Sequence, residues 1–265
     1  MKILSLLLAF AVSHHWPSAC RLRRFDWLLA GPEYSSGRGP HWLPAALLAA
    51  LAVLIGGLAT AIANWVAGLL GLLLLGIASV LYTLGPGHLD RDIRMASSPA
   101  EPGKQQVALE RLLLTPRSTG IEAAAASLHA ALARWFGIIF WFVVLGVPGA
   151  LLYRCLREAH HASRLEAAER AWMGRVLAWM NWPVMALMTG AIALMTDYDR
   201  VKAAFDARED RWQLPAVLLD DLARALCDPA DDLAEGLADG RRIAWRALGI
   251  WFAVLSLLLL AGLLS

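Results

Sequence analysis

Residues 43–82 run for forty positions without one charged side chain. A helix on the surface of a soluble protein must show water a polar face, and this stretch has none to show. Roughly 20 apolar residues of helix cross the hydrocarbon core of a bilayer, so forty are too many for one crossing and suit two. Gly56-Gly57 and Asn64-Trp65 are the available breaks. The second leaves spans of 43–62 and 66–84, puts the amide at the surface, and joins the arms by a tight hairpin. Small residues recur in both arms (Gly57, Ala61, Gly68, Gly71, Gly76), the packing chemistry of membrane helices.

The rest of the chain fits the same solvent. Only 17% of the 265 residues are charged and 58% are apolar, against about 25% charged in ordinary soluble chains. A net charge of +2 and the lack of a basic patch interleaved with aromatics give nucleic acid nothing to bind. Cys20, Cys155 and Cys227 are odd in number and far apart, which suits neither a disulfide framework nor a metal cluster. Tryptophans at the edges of apolar runs (Trp42, Trp65, Trp135, Trp245) read as interfacial anchors.

A second long apolar stretch lies between Arg134 and Arg154, nineteen residues without a charge. It reads as a span over 135–153, with Arg134-Trp135 and Tyr153-Arg154 as wet-tipped anchors. Gly146-Val-Pro148-Gly149 would loosen that helix and let a neighbour's backbone approach. Further spans are expected at 176–196, with Asn181-Trp182-Pro183 inside as a kink or re-entrant turn, and at 247–264. Residues 3–12 form either a signal-peptide core or a retained short helix packed in the membrane. The fold class is therefore an all-α integral membrane protein, 1–265, of about five spans, with a short N-terminal apolar helix and amphipathic loop helices.

The polar loops cover 85–134 and 197–246. The first is read as loop with one short helix at 104–114. Thr119 and Glu122 then fit a capping box that starts an alanine-rich helix over 121–133. In 154–175, five arginines and three glutamates, with Glu166 four before Arg170, read as a solvated helix. In 197–244, Leu218, Leu222, Ala225 and Leu226 share one helical face, and Asp228-Pro229 with Asp231 and Asp232 reads as a helix start. With five spans, the amino-terminal tail, 85–134 and 197–246 share one side and hold 19 of the 24 Lys and Arg. That side is cytoplasmic by the positive-inside rule. The five arginines of 154–175 would then face outward, against it.

Chemistry-bearing groups are sparse. The pairs His14-His15 and His160-His161 point about 100° apart on a helix, a poor chelate, and Glu158 is the nearest further ligand. Asp90, Asp92, Asp197 and Asp199 make up the possible polar site. The spans contain no ionisable residue at depth, against an ion-coupled transporter, and there is no phosphate loop, nucleophile elbow or zinc-protease helix. No catalytic residue, metal site or cofactor is assigned.

Two stretches carry a family resemblance: Arg134-Trp135-Phe136-Gly-Ile-Ile-Phe140-Trp141-Phe, and Leu145-Gly146-Val-Pro148-Gly149-Ala-Leu-Leu-Tyr153-Arg154. Leu81-Tyr-Thr-Leu-Gly85 with Leu89-Asp90-x-Asp92, and Trp182-Pro183 with Met188 to Asp197, agree in order and spacing. Over about 80–200 the chain resembles the AmpE family of inner-membrane proteins, relatives of the membrane enzymes of adenosylcobinamide-phosphate synthesis. The polar motifs of those enzymes are missing here: Leu128 to Arg134 and Cys155 to His161 stand in their places. The resemblance implies a non-enzymatic, multi-pass regulator in the bacterial inner membrane. It implies a role in β-lactamase induction, linked to cell-wall recycling, with the lipid bilayer and proteins of those pathways as partners. Two alternatives stay open. A synthase-type enzyme would need Asp90, Asp92, Asp197 and Asp199 in one pocket, and a transporter or ligand-binding module would need a polar cavity at mid-membrane.

Overall fold

In a computed structural model, residues 2–15, 40–84, 89–98, 101–161, 165–206, 215–227 and 232–262 are described, and among them every regular element is a helix. Four helical stretches are long and apolar enough to cross a membrane: Leu43–Thr83, Gly120–Leu145, Ala167–Met195 and Leu233–Leu260. The chain is an all-α, multi-pass membrane protein. Chain contacts divide it into two units, one of Met1–Pro86, Gly137–Met180 and Leu255–Ser265, the other of Gly87–Phe136 and Asn181–Val254.

The first unit is built on two helical hairpins. Helix α1 (Lys2–His15) precedes α2 (Leu43–Thr83), whose course is broken at Gly68 by φ +52°, ψ −129°. In a straight helix residues 63 and 71 would lie about 12 Å apart. Here a β-carbon on Gly71 would strike the Ala63 carbonyl oxygen, so the chain has doubled back. The hairpin expected from the uncharged run is present, but its turn falls at Gly68 rather than at Asn64-Trp65. Glycine tolerates the left-handed backbone that the reversal needs, and asparagine or tryptophan would be strained there. The other suggested break, Gly56, stays helical and seats Pro148, whose Cα lies 2.7 Å from where a β-carbon would be.

The second hairpin replaces the span expected at 135–153. Helix α6 (Gly137–Leu145) ends at Gly146, with φ +73°, and α7 (Val147–His161) returns alongside it. Residues 137 and 153 would be about 24 Å apart in one straight helix, yet the Tyr153 ring lies directly on Gly137. The two turns share one pattern. The reversing glycine is followed three residues later by a second glycine, which meets the carbonyl five residues before the turn. Gly71 meets Ala63 in the first hairpin and Gly149 meets Trp141 in the second. Pro148 is tolerated because it lies in the first turn of α7, where no intrahelical donor is needed. Phe140 and Trp141 pack edge to face near the turn, their centroids 5.1 Å apart.

Helix α1 lies along this core, with Ile3, Leu6 and Ala9 buried and Ser5 Oγ donating to the Leu73 carbonyl at 3.3 Å. Lys2 Nζ donates to the Val143 carbonyl at 3.3 Å, a cation at a helix C-terminus where unpaired carbonyls concentrate negative charge.

In the second unit, α3 (Leu89–Ala96) and α4 (Pro102–Arg111) occupy a stretch read from sequence as loop with a helix at 104–114. Helix α5 (Gly120–Ala131) begins at the expected capping box: Thr119 Oγ1 accepts from the Glu122 N–H, and the Glu122 carboxylate accepts from the Thr119 N–H at 2.9 Å. Helix α8 (Ala167–Met195) runs unbroken through Trp182-Pro183, so no re-entrant turn forms there. Helices α9 (Tyr198–Asp206) and α10 (Pro215–Leu226) follow. The buried face of α10 is Leu218, Leu219, Leu222 and Ala223, turned from the expected one: Ala225 and Leu226 are only half-buried. Helix α11 (Leu233–Leu260) starts after Asp232, whose Oδ1 accepts from the Ala234 N–H. Asp228, Pro229 and Asp231 lie outside the described residues. Gly236 and Gly240 press against Gly120 and Ala124 of α5, a small-residue crossing of the kind that lets helix backbones touch.

Candidate functional site

The second unit buries a network of charges around Asp92. Along α3, Leu89, Asp92, Ile93 and Ala96 recur at helical spacing and all are buried. Asp92 therefore occupies a core position and is only 1% exposed. An isolated carboxylate there would cost several kcal/mol of desolvation, roughly, unless paired and hydrogen-bonded. Both of its oxygens are paired. Oδ2 accepts from Arg134 Nη1, and Oδ1 accepts from Arg111 Nη1 at 3.2 Å. Arg134 Nη2 also donates to the Arg111 carbonyl at 3.2 Å, so the three side chains lock three segments together.

Local structure delivers each arginine. Arg111 ends α4, which closes with Leu113 at φ +58° as Leu114 N–H bonds to the Leu109 carbonyl and Leu113 N–H to that of Glu110. These two bonds form the glycine-type helix stop with leucine in the left-handed place. Arg134 lies in a π-helical turn, Leu132–Phe136, between α5 and α6. The wider turn holds an extra residue and changes the register of the side chains around it, a feature common at functional sites.

Two residues before Asp92 on α3, and so on another face of the helix, Asp90 takes a second set of donors. Its Oδ1 accepts from Trp245 Nε1 at 2.9 Å and from Arg241 Nη1 at 3.4 Å. The Trp245 ring packs against Trp135 at 5.1 Å, and Phe136 meets Trp251 edge to face at 5.0 Å. The Trp245 indole thus joins the Asp90 carboxylate to the Trp135 ring.

The residues singled out from sequence thus divide. Asp90, Asp92, Arg134, Trp135 and Phe136 come together in this network. Asp197 does not join it. Its Oδ1 caps α9 by accepting from the Asp199 and Arg200 N–H groups, and its Oδ2 pairs with the exposed Arg200. Phe140, Trp141, Gly146, Pro148, Gly149 and Tyr153 build the second hairpin, and Trp182 and Pro183 lie within α8.

Arg134 and Arg154 are not wet-tipped anchors. They are 5% and 2% exposed, and Arg154 pairs with Glu158 at 2.6 Å. A 135–153 segment that folds back carries its terminal arginines into protein, which is why the anchor reading fails. Nor is 154–175 solvated throughout. Burial pushes the Cys155 thiol up to about 11, against the pull of Arg154 and helped by Glu158. The His160 Nδ1–H donates to the Arg170 carbonyl at 3.0 Å, and its ring rests on Gly174.

Arg111, Arg241 and the Trp245 indole are the members that sequence reasoning missed. A signal for them existed: an aspartate at a core position of an amphipathic helix demands cations from elsewhere in the chain. Which arginines answer was not legible, since they lie 19 to 151 positions away from the carboxylates they meet.

Fold and network define a multi-pass α-helical membrane protein with a buried, guanidinium-clamped carboxylate. Compared with known proteins, the chain matches no family model, no curated protein and no solved structure.

Proposed function

We propose that the chain is a non-enzymatic regulatory protein of the AmpE kind, seated in a bacterial inner membrane and modulating β-lactamase induction. Its partners on this reading are the bilayer and proteins of the induction or peptidoglycan-recycling pathways. The observation that supports it is the engagement of Asp92. Both oxygens are taken by guanidiniums from other segments, so the carboxylate works as a clamp between α3, α4 and the helix leading into the second hairpin. A clamp that is either closed or broken is the kind of two-state element through which a signal passes between a loop and a membrane helix.

The test is β-lactam-induced β-lactamase activity in cells lacking the protein, with and without a plasmid copy. Altered induction that the plasmid restores is the expected result. Unaltered induction would remove the protein from that circuit.

A further inference from the structure

We propose that the groove between α3 and α4 binds the phosphate of an anionic phospholipid headgroup. The groove has a volume of ≈ 270 Å³ and is lined by Arg91, Arg94, Met95, Ser98, Glu101 and Lys104. Its cations are a by-product of how α3 is held. Asp92 and the apolar side chains of α3 face inward, which turns Arg91 and Arg94 outward on the opposite face. Three residues apart on a helix, two side chains start roughly 5–6 Å from each other, so these like charges gain from an anion placed between them.

Among the described residues neither Arg91 nor Arg94 has an ion-pair or hydrogen-bond partner. Lys104 shares the groove with the one carboxylate there, Glu101, and pairs with it. That leaves an excess of two positive charges, with the Ser98 hydroxyl as a neutral donor beside them. A phosphate oxyanion is the ligand for which such a set of donors is suited.

Chain connectivity decides between a lipid and a soluble phosphate. The returning arm of the first hairpin ends at Thr83 and α3 starts at Leu89. Six residues span at most about 21 Å fully extended. The chain therefore holds the start of α3 within about 21 Å of the end of the uncharged arm, and each basic residue near an anionic surface gains about 1 kcal/mol.

The test uses the full chain in zwitterionic detergent, with native mass spectrometry counting retained phosphatidylglycerol against phosphatidylcholine. Wild type should prefer phosphatidylglycerol. The variant R91Q/R94Q/K104Q should lose that preference by roughly fivefold per cation, about a hundredfold together, with circular dichroism unchanged because all three side chains are exposed. Glu101→Gln should instead tighten capture several-fold, a gain that misfolding cannot imitate. Undiminished capture by the triple variant, or weaker capture by Glu101→Gln, would overturn the proposal. So would displacement of the lipid by an equal concentration of inorganic phosphate, which would make the soluble anion the occupant.

Discussion

The two hairpins reverse by the same device and are held by different forces. In each, a glycine in the left-handed region turns the chain and a glycine three residues on lets the arms touch. The first hairpin carries no charge from 43 to 82 and presents Leu54, Leu58, Trp65, Val66 and Leu70 outward. The second carries no charge from 135 to 153 and is charged only along the far half of its return arm. The π-helical turn that precedes its outgoing helix is tied through Arg134 to Asp92, and its return arm carries the Arg154–Glu158 pair. Reversal inside an apolar stretch is thus written in glycine spacing, while charge decides what the arms are fastened to.

The largest effect should come from unfastening the second hairpin. Asp92→Asn leaves two guanidiniums facing each other without their carboxylate, and losing one partner of a buried pair costs about 3–5 kcal/mol. The check is a thermal unfolding series in detergent. Arg111→Gln should cost clearly less, since that side chain is half exposed and an exposed pair contributes only about 0–1 kcal/mol. Equal, small losses for both variants would mean that the clamp does not hold the outgoing helix, and the contrast between the hairpins would collapse.

The glycines come next and test whether the two turns are equivalent. Gly71→Ala and Gly149→Ala each drive a methyl group into a backbone carbonyl of the facing arm, which cannot swing away as a side-chain tip could. Overpacking of this kind costs about 1–3 kcal/mol. Gly68→Ala and Gly146→Ala meet no such wall at the turn and lose mainly the left-handed backbone preference, about 1–2 kcal/mol. Matching losses in the two hairpins, read from unfolding midpoints, would support one shared device. Loss at Gly149 without loss at Gly71 would reduce the first turn to a simple kink.

The two hairpins also differ in how legible they are in the sequence. Forty uncharged residues exceed one crossing, so the first hairpin followed from length. Polarity points to Asn64-Trp65 for its turn, whereas the backbone needs a glycine and turns at Gly68. Nineteen uncharged residues fit one crossing, so the same length argument concealed the second hairpin, although Gly146 and Gly149 stood at the spacing of Gly68 and Gly71. The capping box at Thr119 was legible because both partners lie within four residues. The clamp was legible only by half: Asp90, Asp92 and Arg134 stood out, while the segments bringing Arg111, Arg241 and Trp245 to them are joined only by the tertiary fold.

The smallest expected effect separates the hairpins by pH. His161 ends the return arm, beyond the four apolar stretches. Loss of water around its ring lowers its pKa first, with Arg157, His160 and Arg154 adding to the shift and Glu158 opposing it. The unfolded imidazole titrates near about 6.5, so the folded state binds its proton later than the unfolded state does. The resulting stability is present above that value and is lost as pH falls through the lowered native pKa. No histidine, carboxylate, lysine or arginine lies between 43 and 82. Hydrogen exchange, corrected for intrinsic rates, should therefore show 147–161 opening more often below about pH 6.5 while 43–83 stays unchanged. His161→Gln should flatten the response of the return arm. Acid loosening that persists in His161→Gln would take the sensitivity away from His161. Equal loosening of both hairpins would show that the charges on the second hairpin do not set its stability apart.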